Sequence, residues 1–214
     1  LDGEILLVGQ FGNAAHLANH IERYIVREDA RVVDLTANKT VLLLNAEEVA
    51  TVAKEFGLRS FRPKPGELHT CSMGDLQMFV AATSMLSAGD QLMIGNLDDR
   101  AKAFATLKTA GISLESESQF ELKRILNFWP RAGREILEKS LPQELDRDAS
   151  AISFTKGCYL GQETIARLDA RGQLQKKLCL LRIDTADAIE AGAAVQHNDQ
   201  PIGQLTSTAW AASL

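Results

Sequence analysis

The chain has 214 residues, 45% of them apolar, and a formal net charge of −5, which is enough chain for one large or two smaller domains around a substantial core. Lys and Arg are not clustered in excess, and pairs such as Lys176-Lys177 stand isolated, so no nucleic-acid footprint is read. No apolar run approaches the ~20 residues that span a bilayer, and three cysteines without Cys-x-x-Cys spacing exclude a disulfide scaffold and set the expectation of a reducing, cytoplasmic compartment.

In chain order, Leu1-Asp2-Gly3-Glu4 reads as a turn into a short strand, Ile5-Leu6-Leu7-Val8. Gly9-Gln10-Phe11-Gly12 lacks the third glycine of a dinucleotide fingerprint and is taken as a turn. Ala14, Leu17, Ala18, Ile21, Tyr24 and Ile25 recur at helical spacing, predicting a helix from Asn13 as cap to about Arg27. Arg31 to Thr36 and Lys39 to Leu44 are expected to form a hairpin across Ala37-Asn38. Ala46, Val49, Ala50, Ala53 and Phe56 mark a second helix ended by Gly57. A strand near Leu76 to Ala81 then completes the split β-α-β-β-α-β order of a ferredoxin-like unit. Pro63, Pro65 and Gly66 make Arg59 to Gly74 a loop. Within it, His69-x-Cys71 offers two metal ligands with no companion pair.

Further along, Gln91 to Gly95 is a strand, Asp98 to about Ala110 a helix and Ile112 to Leu114 a short strand. Ser116 is expected to cap a helix carrying Phe120, Leu122, Ile125, Leu126 and Trp129, closed by Pro130. Gly161 to about Arg171 is a short helix with Gly172 as its stop and Glu163 to Arg167 as an i,i+4 ion pair. After a boundary near Gly172, strands are expected at Gln175 to Ile183, Ala194 to His197 and Ile202 to Ser207. Cys179 is placed in the core by its alternating apolar neighbours. The fold class is therefore α+β.

The most informative segment is Lys156-Gly157-Cys158-Tyr159-Leu160-Gly161-Gln162-Glu163, a thiol between two glycines, two residues after a lysine and just before a helix. An ammonium and the positive end of a helix both favour thiolate over thiol, and the thiolate is the nucleophile and soft-metal ligand. Gly157 and Gly161 can take positive φ and shape a tight exposed loop. A lone cysteine is also compatible with a small buried hydrophobe, so the residues by themselves leave both readings open.

The run from Pro142-Gln143-Glu144 through Lys156 to Glu163, and on to Ala166-Arg167 and Arg171-Gly172, resembles the signature of the YgfZ family. These are folate-binding relatives of the glycine-cleavage T-protein, an aminomethyltransferase. The resemblance implies an aminomethyltransferase-like folate-binding region over 1–172, with its N-terminal part missing, and the beginning of a C-terminal β-barrel over 173–214. It implies a role in maturation or repair of iron–sulfur enzymes and in tRNA modification. Folate, as tetrahydrofolate or a derivative, would be the bound cofactor, and iron–sulfur enzymes or assembly proteins the partners. With so few cysteines, the chain is not expected to carry a cluster alone.

On the same resemblance, Cys158 is the reactive or ligand-exchanging thiol and Lys156 its source of positive charge. Gly157 and Gly161 shape the loop, and Tyr159 stacks or packs. Gln162, Glu163 and Arg167 brace the loop or reach the ligand. Arg124-Ile125-Leu126-Asn127-Phe128 falls where aminomethyltransferases carry an Arg-Leu-Glu-Ala-Gly-like run whose acidic residue contacts folate. Arg124 and Asn127 thus become folate candidates, with Arg131 beside Arg124 for the glutamate tail. Leu126 cannot accept a hydrogen bond from a pterin, and the T-protein has no Lys-Gly-Cys; both departures favour the YgfZ branch. Two alternatives stay open: a folate-dependent aminomethyl or one-carbon transferase, and a non-catalytic binding scaffold whose thiol is incidental.

Overall fold

The computed structural model describes residues 3–10, 12–58, 63–172 and 174–211, without the Arg171 side chain. Expectations that fall on Leu1, Asp2, Phe11, Arg59 to Arg62, Gln173 and residues 212–214 lie outside the described residues. The chain divides into two compact units, 1–120 and 121–214, so Gly172, the expected boundary, lies inside the second.

The first unit contains α1 (Ala14–Glu22), β1 (Lys39–Leu44), α2 (Ala46–Glu55), β2 (Leu68–Met73), β3 (Leu76–Ala82), β4 (Gln91–Asn96) and α3 (Arg100–Thr109). The four strands form one sheet in the order β1-β4-β3-β2, every pairing antiparallel. Alternate residues of β3 and β4 (Leu76, Met78, Val80, Met93) point into a core closed by Val49 and Val52 of α2 and by Ala103 and Leu107 of α3. The helices form where the pattern and the caps agree. Asn45 Oδ1 accepts the Glu47 and Glu48 N–H groups while Glu48 returns a carboxylate oxygen to the Asn45 N–H, a reciprocal capping box. Gly57 follows α2 at φ 63°, as its role as a stop requires.

Several expectations are corrected. The helix anticipated to Arg27 ends at Glu22, because the Glu28 carboxylate accepts the Val26 and Arg27 N–H groups at 2.9 and 3.0 Å and closes a local turn that competes with the helix. Residues 5–8 and 31–36 are not strands. Asp34 Oδ1 takes the Thr36 N–H at 2.8 Å, and the Leu35 carbonyl takes those of Asn38 and Lys39, so 34–39 is a turn and the hairpin with β1 does not form. Conversely, 68–73, expected as loop, is the edge strand β2. The helix-linked strands β1 and β2 lie at opposite edges of the sheet and run antiparallel, so the parallel pair that a split β-α-β unit needs is not formed among the described residues. Ile112 is not in a strand either; its N–H closes onto the Leu107 carbonyl after Gly111 at φ 82°, and its side chain caps the core.

α4 (Glu117–Leu126) leads into the second unit, with Ser116 and Gln119 exchanging a reciprocal pair of cap bonds as expected. That unit holds α5 (Asp148–Ala151), α6 (Gln162–Arg171) and a two-stranded antiparallel ribbon of β5 (Ala194–His197) and β6 (Gln200–Gln204). Its interior is organised by charge. Arg124, 2% exposed, donates Nε and Nη2 to the Glu121 carboxylate at 3.1 and 2.7 Å. It also donates Nη1 to Glu135 and to the Trp129 carbonyl, and Nη2 to Ser207 Oγ. Residues 175–183, expected as a strand, join no sheet; they are tied instead by the Leu178 N–H to the Glu144 carbonyl at 2.7 Å and by Lys176–Glu144 and Lys177–Asp146 ion pairs. Cys179 is accordingly exposed, not in the core, because that segment has no strand partner to cover it among the described residues. Among the described residues no helix is long and apolar enough to cross a membrane.

Candidate functional site

The Lys156–Glu163 segment is an exposed loop that feeds α6. Its internal bonds are all local: the Lys156 N–H donates to Ser153 Oγ at 3.3 Å and the Gln162 N–H to the Tyr159 carbonyl at 3.2 Å. Of the two glycines only Gly161 has positive φ, at 88°, and it is the residue that turns the chain into α6. No side chain caps this helix start, and the Gly161 carbonyl accepts the Ile165 N–H at 3.2 Å to close the first turn. Gly172, at φ 61°, ends the helix with its N–H on the Leu168 carbonyl.

Cys158 is exposed at the head of this arrangement, and Leu160 beside it is 82% exposed. The Lys156 ammonium lies over the Tyr159 ring, 4.7 Å from its centroid, a cation–π contact. Tyr159 therefore serves the lysine, and the loop is held partly by its own side chains. Glu163 and Arg167 are both exposed, and no ion pair joins them among the described residues; an exposed i,i+4 pair contributes only about 0.3–0.5 kcal/mol, too little to hold two long side chains in one geometry.

The other candidates lie elsewhere. Cys71 belongs to β2 and its side chain enters the core; burial pushes its thiol pKa up to about 11. His69 is paired with Glu67 at 3.1 Å. No group of three or more His, Cys, Asp or Glu side chains able to hold a metal occurs among the described residues.

Arg124 and Asn127 are placed for structure. The guanidinium of Arg124 is enclosed by Glu121, Glu135, the Trp129 carbonyl and Ser207, which leaves it no room for a folate carboxylate. Asn127 Nδ2 donates to the Lys123 carbonyl one turn earlier at 2.8 Å. Arg131 is paired with Glu121 at 2.8 Å. A hollow of about 510 Å³ in the first unit is lined by Glu47, Glu48, Glu115 and Gln119 among others and by no Lys or Arg, so it does not suit an anionic tail. These residues do not fit folate.

Sequence comparison reveals relatives along much of the chain. A tRNA-modifying protein YgfZ from Colwellia psychrerythraea is 34% identical over 104 residues, 48% of this chain and 32% of that protein. Its counterpart from Aliivibrio fischeri is 28% identical over 131 residues, 61% of this chain and 41% of that protein. A mitochondrial iron–sulfur cluster assembly factor IBA57 homologue from Pyricularia oryzae is 28% identical over 185 residues, 84% of this chain and 42% of that protein. This chain is a relative of YgfZ and IBA57. It spans less than half the length of the curated YgfZ and IBA57 relatives it matches, and no protein-family model matches it.

Two features of this YgfZ relative escaped the sequence. The Glu121–Arg124–Glu135 network was not anticipated, although Glu121 and Arg124 at i,i+3 were a local hint. The Arg124 side chain, through its hydrogen bond, draws the Glu121 pKa below the ordinary glutamate value of 4.5, despite partial burial. At Glu135 burial is the largest influence and acts upward, yet hydrogen bonds from Ser207, the Arg131 N–H and Thr206, with the Arg124 charge, carry the pKa below 4.5. The second feature is Gln143, 6% exposed, whose amide Nε2 donates to the Ile165 carbonyl of α6 at 3.3 Å.

Proposed function

We propose that this chain is the thiol-bearing part of a protein that supports maturation or repair of iron–sulfur enzymes, with an effect on tRNA modification through that route. The observation that carries this reading is the exposed Cys158 in Lys-Gly-Cys-Tyr-Leu-Gly-Gln-Glu, at the head of a helix that begins at an αL glycine. Relatives whose names describe tRNA modification and iron–sulfur cluster assembly support it. An exposed sulfur can exchange a soft metal or attack an electrophile, whereas a buried one such as Cys71 cannot.

Folate binding in an aminomethyltransferase-like fold belongs to the proposal as well, with its contacts supplied by side chains other than Arg124, Asn127 and Arg131. No chemical step is routed through it. Titration calorimetry with tetrahydrofolate tests that part, and an absence of saturable heat would remove it.

The test of the central reading is Cys158→Ser in cells that lack the unmodified gene. Oxygen keeps the side-chain shape but is a poorer soft-metal ligand and nucleophile, so cluster-enzyme activity is expected to fall at equal protein level, with Cys179→Ser as the exposed control. Full restoration of cluster-enzyme activity by Cys158→Ser would make the thiol dispensable and leave the scaffold alternative.

A further inference from the structure

α6 and the loop before it are tied to the rest of their unit by very little. Among the described residues, the polar contacts of 154–172 are confined to that stretch and to Ser153, save one: the hydrogen bond from Gln143 Nε2 to the Ile165 carbonyl. Ile165 is the residue whose N–H closes the first turn of α6 onto Gly161, and Cys158 stands three positions before Gly161. Gln143 itself is fixed in the single turn of 3-10 helix Pro142–Leu145, where Glu144 also accepts the Leu178 N–H and pairs with Lys176.

The amide of Gln143 is poorly chosen for stability. Its Oε1 is buried and has no hydrogen-bond partner among the described residues, and an unpaired buried acceptor is unfavourable relative to an apolar side chain of the same shape. Its orientation is set by Ile165, since turning the amide over would oppose two oxygens. A side chain that destabilises at one end and makes one long-range bond at the other is suited to placing something. We propose that Gln143 is a positioning residue: through Ile165 it fixes the first turn of α6, and thereby the presentation of the Cys158 thiol. The second half of this statement rests on the reactive-thiol reading above; the first half does not.

Hydrogen exchange on the 214-residue chain tests it, with Gln143→Met, which matches the length of the side chain but lacks the donor. Amides of Ile165 to Leu168 are expected to exchange about tenfold faster while those of 121–135 do not change, and the labelling ratio of Cys158 to Cys179 by iodoacetamide is expected to move towards unity. Gln143→Glu is the second variant and carries the test if Gln143→Met fails to fold. Burial raises a carboxyl pKa, so the new side chain regains an O–H donor as the pH falls from about 8 to about 5, and protection of α6 is expected to return with it. Glu121 and Glu135 stay ionised across that interval, so the core network does not confuse the result. Unchanged exchange in α6 in both variants, or acceleration spread evenly over 121–211, would overturn the proposal. Equal labelling of Cys158 and Cys179 in the unsubstituted chain would instead sink the reactive-thiol reading while leaving the exchange result to stand.

Discussion

Arg124→Met is the perturbation that bears most directly on the second unit. Arg124 is 2% exposed and its guanidinium donates five hydrogen bonds, three of them to the carboxylates of Glu121 and Glu135, whose side chains are 12% and 4% exposed. Methionine fills much of the same volume but leaves both carboxylates without their main counter-charge, and removing one partner of a buried pair costs about 3–5 kcal/mol. Domains of this kind have only about 5–15 kcal/mol in total, so unit 121–214 is expected to lose much of its cooperative unfolding transition in urea at pH 7. The sign with pH follows from the two glutamates. Both have folded pKa values below 4.5, so their contribution is complete above the unfolded value and is lost as the pH falls through the folded one. The gap between the parent chain and Arg124→Met should therefore be widest near neutrality and close as the pH falls below the ordinary glutamate value through the lowered folded ones. A loss under about 1 kcal/mol at pH 7, no larger than an exposed pair contributes, would refute the description of this network as the organising core.

The remaining predictions concern the loop. Brief iodoacetamide labelling followed by mass spectrometry should modify Cys158 fastest and Cys71 slowest, since Cys71 is buried with its pKa near 11; early labelling of Cys71 would contradict the packing of β2. Gly161→Ala should lower stability by about 1–2 kcal/mol from the αL backbone alone, because an added Cβ there meets nothing within 4 Å, and a melting temperature unchanged from the parent would refute the positive φ. Gly157→Ala, at an ordinary φ and with equally open space around it, should fall within about 0.5 kcal/mol of the parent.

What the sequence determined by itself is what is encoded within a few residues. The stop at Gly57, the Ser116 cap and the Gly161 to Gly172 helix all rest on relations between near neighbours in the chain, and the Lys-Gly-Cys motif was legible for the same reason. Local competition was harder to see. Glu28 and Asp34 draw nearby N–H groups into turns and so cancel a helix end and a strand that the apolar spacing favoured. Tertiary structure decided the long-range pairings. β1 lies beside β4 and not beside its sequence neighbour, because a strand pairs where a full ladder and a shared apolar face are available together. Arg124 reaches Ser207, 83 residues away, so a side chain that looked like a ligand contact became the centre of a unit. Cys179 alternates like a core residue yet is exposed, since alternation reports which face a side chain takes and only a covering partner buries that face. Gln143 stood in the motif without a role, because its one long-range bond, to a carbonyl 22 residues on, exists only once α6 has folded against it.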